Sequence, residues 1–204
     1  MTAETRIQKK NREAILDAGL EAFSEAGFRG ATLDRIASGA GLSKPNLLYY
    51  FPSKEAIYTA LLEELLSIWL APLQALDPEG DPMEELLLYV DRKLALSRDY
   101  PRESRLFANE VLQGAPHILG ALEGELRDMV DHASSVIQRW VSEGRIAALD
   151  PTHLIFSVWA LTQHYADFDV QIRAVRGNTD PFDGAGPHLD LLFRRFLAPG
   201  GDTA

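Results

Sequence analysis

Residues 43–54 read Ser-Lys-Pro-Asn-Leu-Leu-Tyr-Tyr-Phe-Pro-Ser-Lys, a run whose side chains suit a nucleic acid better than a protein core. Lysine ammonium and asparagine carboxamide groups match the acceptors and donors on base edges, whereas hydroxyls and further lysines match phosphate oxygens. Lys44 and Asn46 are therefore the candidates for reading sequence, and Thr32, Ser43, Tyr49, Tyr50 and Lys54 for holding the DNA backbone. Ser43 can N-cap a short helix with Pro45 in its first turn, and that helix must stop at Phe51-Pro52. Ser53 can cap the next helix, which puts Lys54 in a first turn where the macrodipole disfavours an isolated cation and a bound phosphate reverses that sign.

A second constellation lies near residue 160. Projected at about 100° per residue, Trp159, Gln163, Ala166 and Ile155 fall within about 40° of one direction. Leu154, Val158, Leu161, Tyr165 and Phe168 gather on another face roughly 140° away. Two separated apolar faces need two burial partners. A carboxamide on an otherwise apolar face costs stability unless it is paired. A backbone carbonyl is one partner for Gln163; a ligand edge offering an acceptor and a donor, as a pyrimidine-dione ring does, is the other. Trp69 and Trp159 are in the same way either plain core or the walls of a flat site. His164 and Asp167 stand three residues apart, but no third ligand at metal spacing and no nucleophile motif accompanies them, so no metal, cofactor or catalytic residue is assigned. Arg98 and Arg105 are read as ion-pair partners within an acidic chain.

The elements that must position these groups are all helical. Leu16, Leu20 and Phe23 recur at helical spacing in a first helix from 9 to 27 closed by Gly27, and Thr32 can cap a second through 40. With Gly41 as the turn and a third helix over 43–50, these two short helices form a helix-turn-helix. Further helices are predicted over 53–70, ending before Pro72, then 81–97, 101–114, 116–144, 150–175 and from about 189 onward. The fold class is all-α: a three-helix helix-turn-helix head followed by a bundle. The division falls after residue 54, with 1–54 as the helix-turn-helix head and 55–204 as the bundle body.

Composition limits the partners. The chain has 204 residues, no cysteine and a formal charge of −10, unevenly spread. Residues 1–54 hold eight Lys or Arg against six Asp or Glu, and the remainder twelve against twenty-four. Only the mildly basic head suits a polyanion. No disulfide or thiolate chemistry is possible, no run approaches the roughly 18 uninterrupted apolar residues of a membrane span, and the first residues are charged rather than signal-like. The expectation is a cytoplasmic protein with no membrane partner. An enzyme processing a small molecule is the rival from another class, against which stands the lack of paired carboxylates, nucleophile elbow or phosphate loop.

The chain resembles the TetR-type transcriptional repressors. The resemblance rests on Ala22-Phe23, Gly27-Phe28, Gly30, Thr32, Ile36-Ala37, Ala40-Gly41, Ser43 and Tyr49-Tyr50-Phe51-Pro52-Ser53-Lys54-Glu55, with Leu48 where many members carry an aromatic. The body is similar to the pyrimidine-utilisation repressors through Ile68-Trp69-Leu70-Ala71-Pro72-Leu73, Ser97-Arg98-Asp99-Tyr100-Pro101 and the run from Trp159 to Phe168. The resemblance implies a homodimer on a palindromic double-stranded operator, released by a small effector such as uracil or thymine near Trp69, Trp159 and Gln163. It also implies pairing of the last two helices between subunits. Leu154, Val158, Leu161, Tyr165, Phe168, Leu192, Phe193 and Phe196 are the expected interface. A regulator of another catabolic or efflux pathway with a different effector is the alternative.

Overall fold

A computed structural model describes residues 6–177 and 179–199, and every regular element among them is helical. The chain forms two compact units, each described by itself. One holds the described residues up to Leu66 together with Arg105–Leu119, and the other holds Ser67–Ser104 with the described residues from Gly120 onward.

The first unit contains α1 (Arg6–Gly30), α2 (Leu33–Gly39), α3 (Lys44–Tyr50) and the beginning of α4 (Lys54–Gln74). Gly27 has φ 67° and ψ 171°, so the helical run breaks there as expected but resumes for one more turn. Gly19 lets α1 approach α4: a Cβ there would lie 3.0 Å from Ile57 Cγ2. Thr32 and Ser43 cap α2 and α3 by accepting from the backbone N–H groups of Arg35 and Asn46. Ile15, Phe23, Ile36, Leu47 and Ile57 are all buried, so the amphipathic stripes of the four helices close on one small core. The end of α6 (Pro101–Leu112) joins this unit through Glu110, whose buried carboxylate accepts the His117 backbone N–H at 2.8 Å. The His117 ring packs on Phe28 and Tyr58.

The second unit is a bundle built from the end of α4, α5 (Pro82–Asp99), the start of α6, α7 (Leu119–Ala121), a π-helical segment (Leu122–Leu126), α8 (Arg127–Ser142), α9 (Pro151–Asp167), α10 (Asp169–Arg176) and α11 (Ala185–Leu197). α5 packs against α9 and α11, and α8 against α9. Trp140 is fully buried and donates from Nε1 to the Pro78 carbonyl at 3.2 Å, while Arg145 donates to that of Gly80 at 2.8 Å. The α8 end thereby holds the turn before α5.

Of the boundaries that differ from the periodicity, three change an element's course, and the last helix also starts four residues early, at Ala185. α4 continues past Pro72 to Gln74, because Ala75 N–H still reaches the Ala71 carbonyl at 3.1 Å. The helix expected from 116 begins only at Leu119 and widens into a π turn, where Gly120 and Gly124 weaken helix preference. The helix expected to reach 175 breaks at Phe168, with φ −113° and ψ 28°, and restarts as α10 until Gly177 at φ 76°. α4 is apolar and long enough by composition to cross a membrane, but more than half of that window is buried within the protein, as in a core helix.

Candidate DNA-reading head and effector site

α2, the Gly41 turn at φ 68° and α3 present one polar surface. Asn46 is exposed and Tyr49 is 71% exposed, its ring set edge-on to that of Tyr50. The Tyr50 hydroxyl accepts from Asn11 Nδ2 at 2.8 Å, and the Tyr49 hydroxyl from Gln8 Nε2 at 3.4 Å. Both phenols keep their own proton to donate. Gln8 and Asn11 on α1 are thus part of the surface, a role the sequence reading missed although Arg6, Lys9 and Lys10 surround them. Thr32 and Ser43 are exposed, and capping uses only their acceptor side. Lys44 Nζ pairs with Asp34 at 2.9 Å, a half-exposed ion pair that must open before the lysine meets a base.

Lys54 differs from expectation. Its half-buried ammonium donates to the carbonyls of Phe28 at 2.7 Å and Ala31 at 3.0 Å and lies over the Phe28 ring at 4.5 Å. The partner that makes a cation favourable there is the carbonyl-rich end of α1, so no phosphate is needed to explain it. One N–H remains for DNA.

In the second unit α5 stands between the two tryptophans. Trp159 Nε1 donates to the buried Tyr89 hydroxyl at 2.7 Å; burial pushes that phenol's pKa well up, only partly offset by the indole hydrogen bond. One turn further along α5, Lys93 is 2% exposed, with Nζ 5.6 Å from the Trp69 ring centroid. Burial brings the Lys93 ammonium down to about 7, against the opposing pull of the Asp167 carboxylate. Asp167 Oδ1 in turn accepts from the Ser104 hydroxyl at 2.6 Å. Trp69 is 5% exposed beside Tyr100, and its Nε1 has no hydrogen-bond partner. Gln163 is half-buried one turn after Trp159, and among the described residues no hydrogen bond engages its carboxamide. Lys93 and Tyr89 escaped the sequence reading. Their signal was the 4-3-4 spacing of Leu86, Val90, Lys93 and Ser97, which puts a lysine on the buried stripe of α5.

The apolar face assigned to a second subunit divides. Leu154, Val158 and Phe193 are buried in this unit's own core, packed with Leu86, Val90, Val136 and Leu189. Leu154 and Val158 on α9 and Phe193 on α11 therefore have partners within the chain, where an interface between subunits was expected. Tyr165 is half-buried against Phe182. Leu161, Phe168, Leu192 and Phe196 remain exposed, Phe168 and Phe196 by about half. Among the described residues no group of three or more His, Cys, Asp or Glu could hold a metal ion.

A three-helix head followed by a helical bundle, with a polar reading helix in the first and buried donors in the second, is the build of a helix-turn-helix transcription regulator. The chain belongs to the TetR family of bacterial regulatory proteins. That family's N-terminal region matches residues 15–61, and the C-terminal region of YcdC-like proteins matches residues 62–194. It is 50% identical over 175 residues to the HTH-type transcriptional regulator RutR of Escherichia coli (strain K12), covering 86% of this chain and 82% of RutR. Similarity to the class D tetracycline repressor of E. coli, 37% identity over 61 residues, covers 30% of this chain and 28% of that one. A solved transcriptional regulator from Streptomyces coelicolor shares the fold at a TM-score of 0.68 and 24% identity, covering 93% of this chain and 99% of its own. The chain is a ligand-responsive, DNA-binding transcriptional repressor of this family.

Proposed function

We propose that this repressor binds a palindromic operator as a homodimer in the cytoplasm and releases it when a uracil-like or thymine-like ring enters the second unit beside Trp69, Trp159 and Gln163. The observation that carries the reading is the Gln163 carboxamide. It lies on a helix face with Trp159, is half-buried, and has no hydrogen bond within the described residues. A cyclic imide offers the acceptor and donor it lacks. Similarity to RutR over most of the chain supports the same effector class. Residues 1–54 carry DNA binding, with Lys44 and Asn46 reading bases and Thr32, Ser43, Tyr49, Tyr50 and the remaining Lys54 N–H touching the backbone; residues 55–204 carry effector binding and dimerisation. The chain regulates and does not catalyse.

Release requires that the ligand favour the conformation that does not fit DNA, because a ligand bound equally by both conformations shifts nothing. Titration of a labelled operator complex with uracil tests the reading. Wild type should release DNA, and Gln163→Leu should bind DNA as before but need roughly ten- to a hundredfold more uracil, the loss of about 1–3 kcal/mol from an unpaired polar edge. An unchanged response in the variant would make Gln163 a core residue.

A further inference from the structure

Lys93 and Trp69 present an arrangement that the bundle's own packing leaves incomplete. Trp69 Nε1 is the one fully buried side-chain nitrogen or oxygen among the described residues that lacks a hydrogen-bond partner. Lys93, 2% exposed, has its ammonium near the face of the same indole, 5.6 Å from the ring centroid. The Asp167 carboxylate attracts that ammonium through its charge and accepts at Oδ1 from the Ser104 hydroxyl at 2.6 Å. The Ser97 and Thr162 hydroxyls donate to the Lys93 and Val158 carbonyls, and among the described residues neither accepts from Lys93 or Trp69. Two strong donors thus stand at one buried place, and among the described residues neither makes a hydrogen bond.

The helix register brings this place to Gln163. Tyr89 on α5 bonds Trp159 on α9, and one turn on, Lys93 feels Asp167, so both links advance in the same sense along the two helices. Gln163 lies one turn from Trp159 and one turn from Asp167 on α9, between the residues that α5 reaches through Tyr89 and Lys93.

We propose that Lys93 and Trp69 form a donor-only end of the effector site, which receives an oxygen of high negative charge on a planar ring whose amide edge meets Gln163. The ligand class is a cyclic imide or its enolate anion. The ammonium and the indole N–H meet the oxygen, and the carboxamide meets the adjacent N–H and carbonyl. A ring bearing an amino group in place of that oxygen sets donor against donor and is refused. This assignment rests on the uracil-class reading of the site and adds to it the residues that discriminate within that class.

The experiment compares uracil, barbiturate and cytosine by calorimetric titration on wild type, Lys93→Met, Trp69→Phe and Gln163→Leu, with a thermal melt of each unliganded protein. Barbiturate is the uracil ring with a third oxygen and is an anion at neutral pH, and cytosine has the amino group in place of one oxygen. Wild type should bind barbiturate at least as tightly as uracil and cytosine at least about tenfold more weakly. Lys93→Met should lose at least about tenfold in affinity for barbiturate and less for uracil, as expected for removal of a charge-assisted hydrogen bond. Trp69→Phe, which keeps a ring and removes the N–H, should weaken both. The unliganded Lys93→Met protein should melt at least as high as wild type, because a buried ammonium that makes no hydrogen bond gives way to an apolar chain of similar length. A lower melting temperature with unchanged ligand preference would make Lys93 a structural residue and overturn the proposal. Should Gln163→Leu lose uracil while Lys93→Met keeps the wild-type preference, the donor end falls and the uracil-class reading stands. If wild type binds none of the three rings, both fall together.

Discussion

Lys54 and Lys44 show how two lysines in one motif come to different duties. Lys54 closes the carbonyl end of α1 through Phe28 and Ala31, whereas Lys44 holds only a surface partner, Asp34. Removing the first leaves two carbonyls without their donor; removing the second breaks a pair of the kind worth about 0–1 kcal/mol. Lys54→Ala should therefore lower the urea midpoint by the equivalent of about 1–3 kcal/mol and weaken operator and scrambled DNA alike. Lys44→Ala should leave the midpoint in place and narrow the difference between operator and scrambled DNA. Equal midpoints for the two variants would return Lys54 to a purely DNA-facing role. The caps at Thr32 and Ser43 and the exposed face that carries Asn46 and Tyr49 were legible from residue type and spacing. Lys54 was not, because the carbonyls that hold it lie more than twenty residues earlier in the chain. Lys93 was half legible: the buried stripe of α5 included it, but a lysine on such a stripe commonly carries its charge back to water.

At the scale of the element, α9 shows both the reach and the limit of periodicity. Its two apolar faces were separated by angle, but Ile155 from one and Leu154 and Val158 from the other are buried in the same core, and angle alone does not say which neighbour covers a face. α5 and α8 cover Leu154 and Val158 from within the chain, and α11 contributes Phe193 to the same core. The exposed remainder, Leu161 and Phe168 on α9 with Leu192 and Phe196 on α11, is narrower than the expected interface. Leu161→Glu with Phe196→Glu should convert a dimer into a folded monomer, seen by light scattering together with an unchanged far-ultraviolet dichroism spectrum. Val158→Asp should instead lose the fold, since Val158 is 1% exposed and would bury an unpaired carboxylate. A dimer surviving the paired glutamates would move the interface elsewhere. Helix ends were legible where a cap or a left-handed glycine marks them, as at Asp81, Asp150 and Gly144. Ends were missed at Phe168 and in the π turn, where neither proline nor a cap announces the change.

At the scale of the whole molecule, the boundary between the two compact units falls inside helices rather than in linkers. It cuts α4 after Leu66, while α6 changes unit after Ser104. A helix cannot lose half its length without exposing the backbone groups of the other half's end, so melting either unit frays an element of its neighbour. Such sharing makes unfolding cooperative across the division. The chain reports on this by an accident of composition: its three tryptophans, at 69, 140 and 159, all belong to the second unit. Tryptophan fluorescence therefore follows that unit alone, while helical dichroism follows the whole chain. The two urea transitions should superimpose in midpoint and slope; a dichroism curve with an earlier step would mean that the head melts by itself. A repressor whose head loosened independently would lose its operator without any effector present.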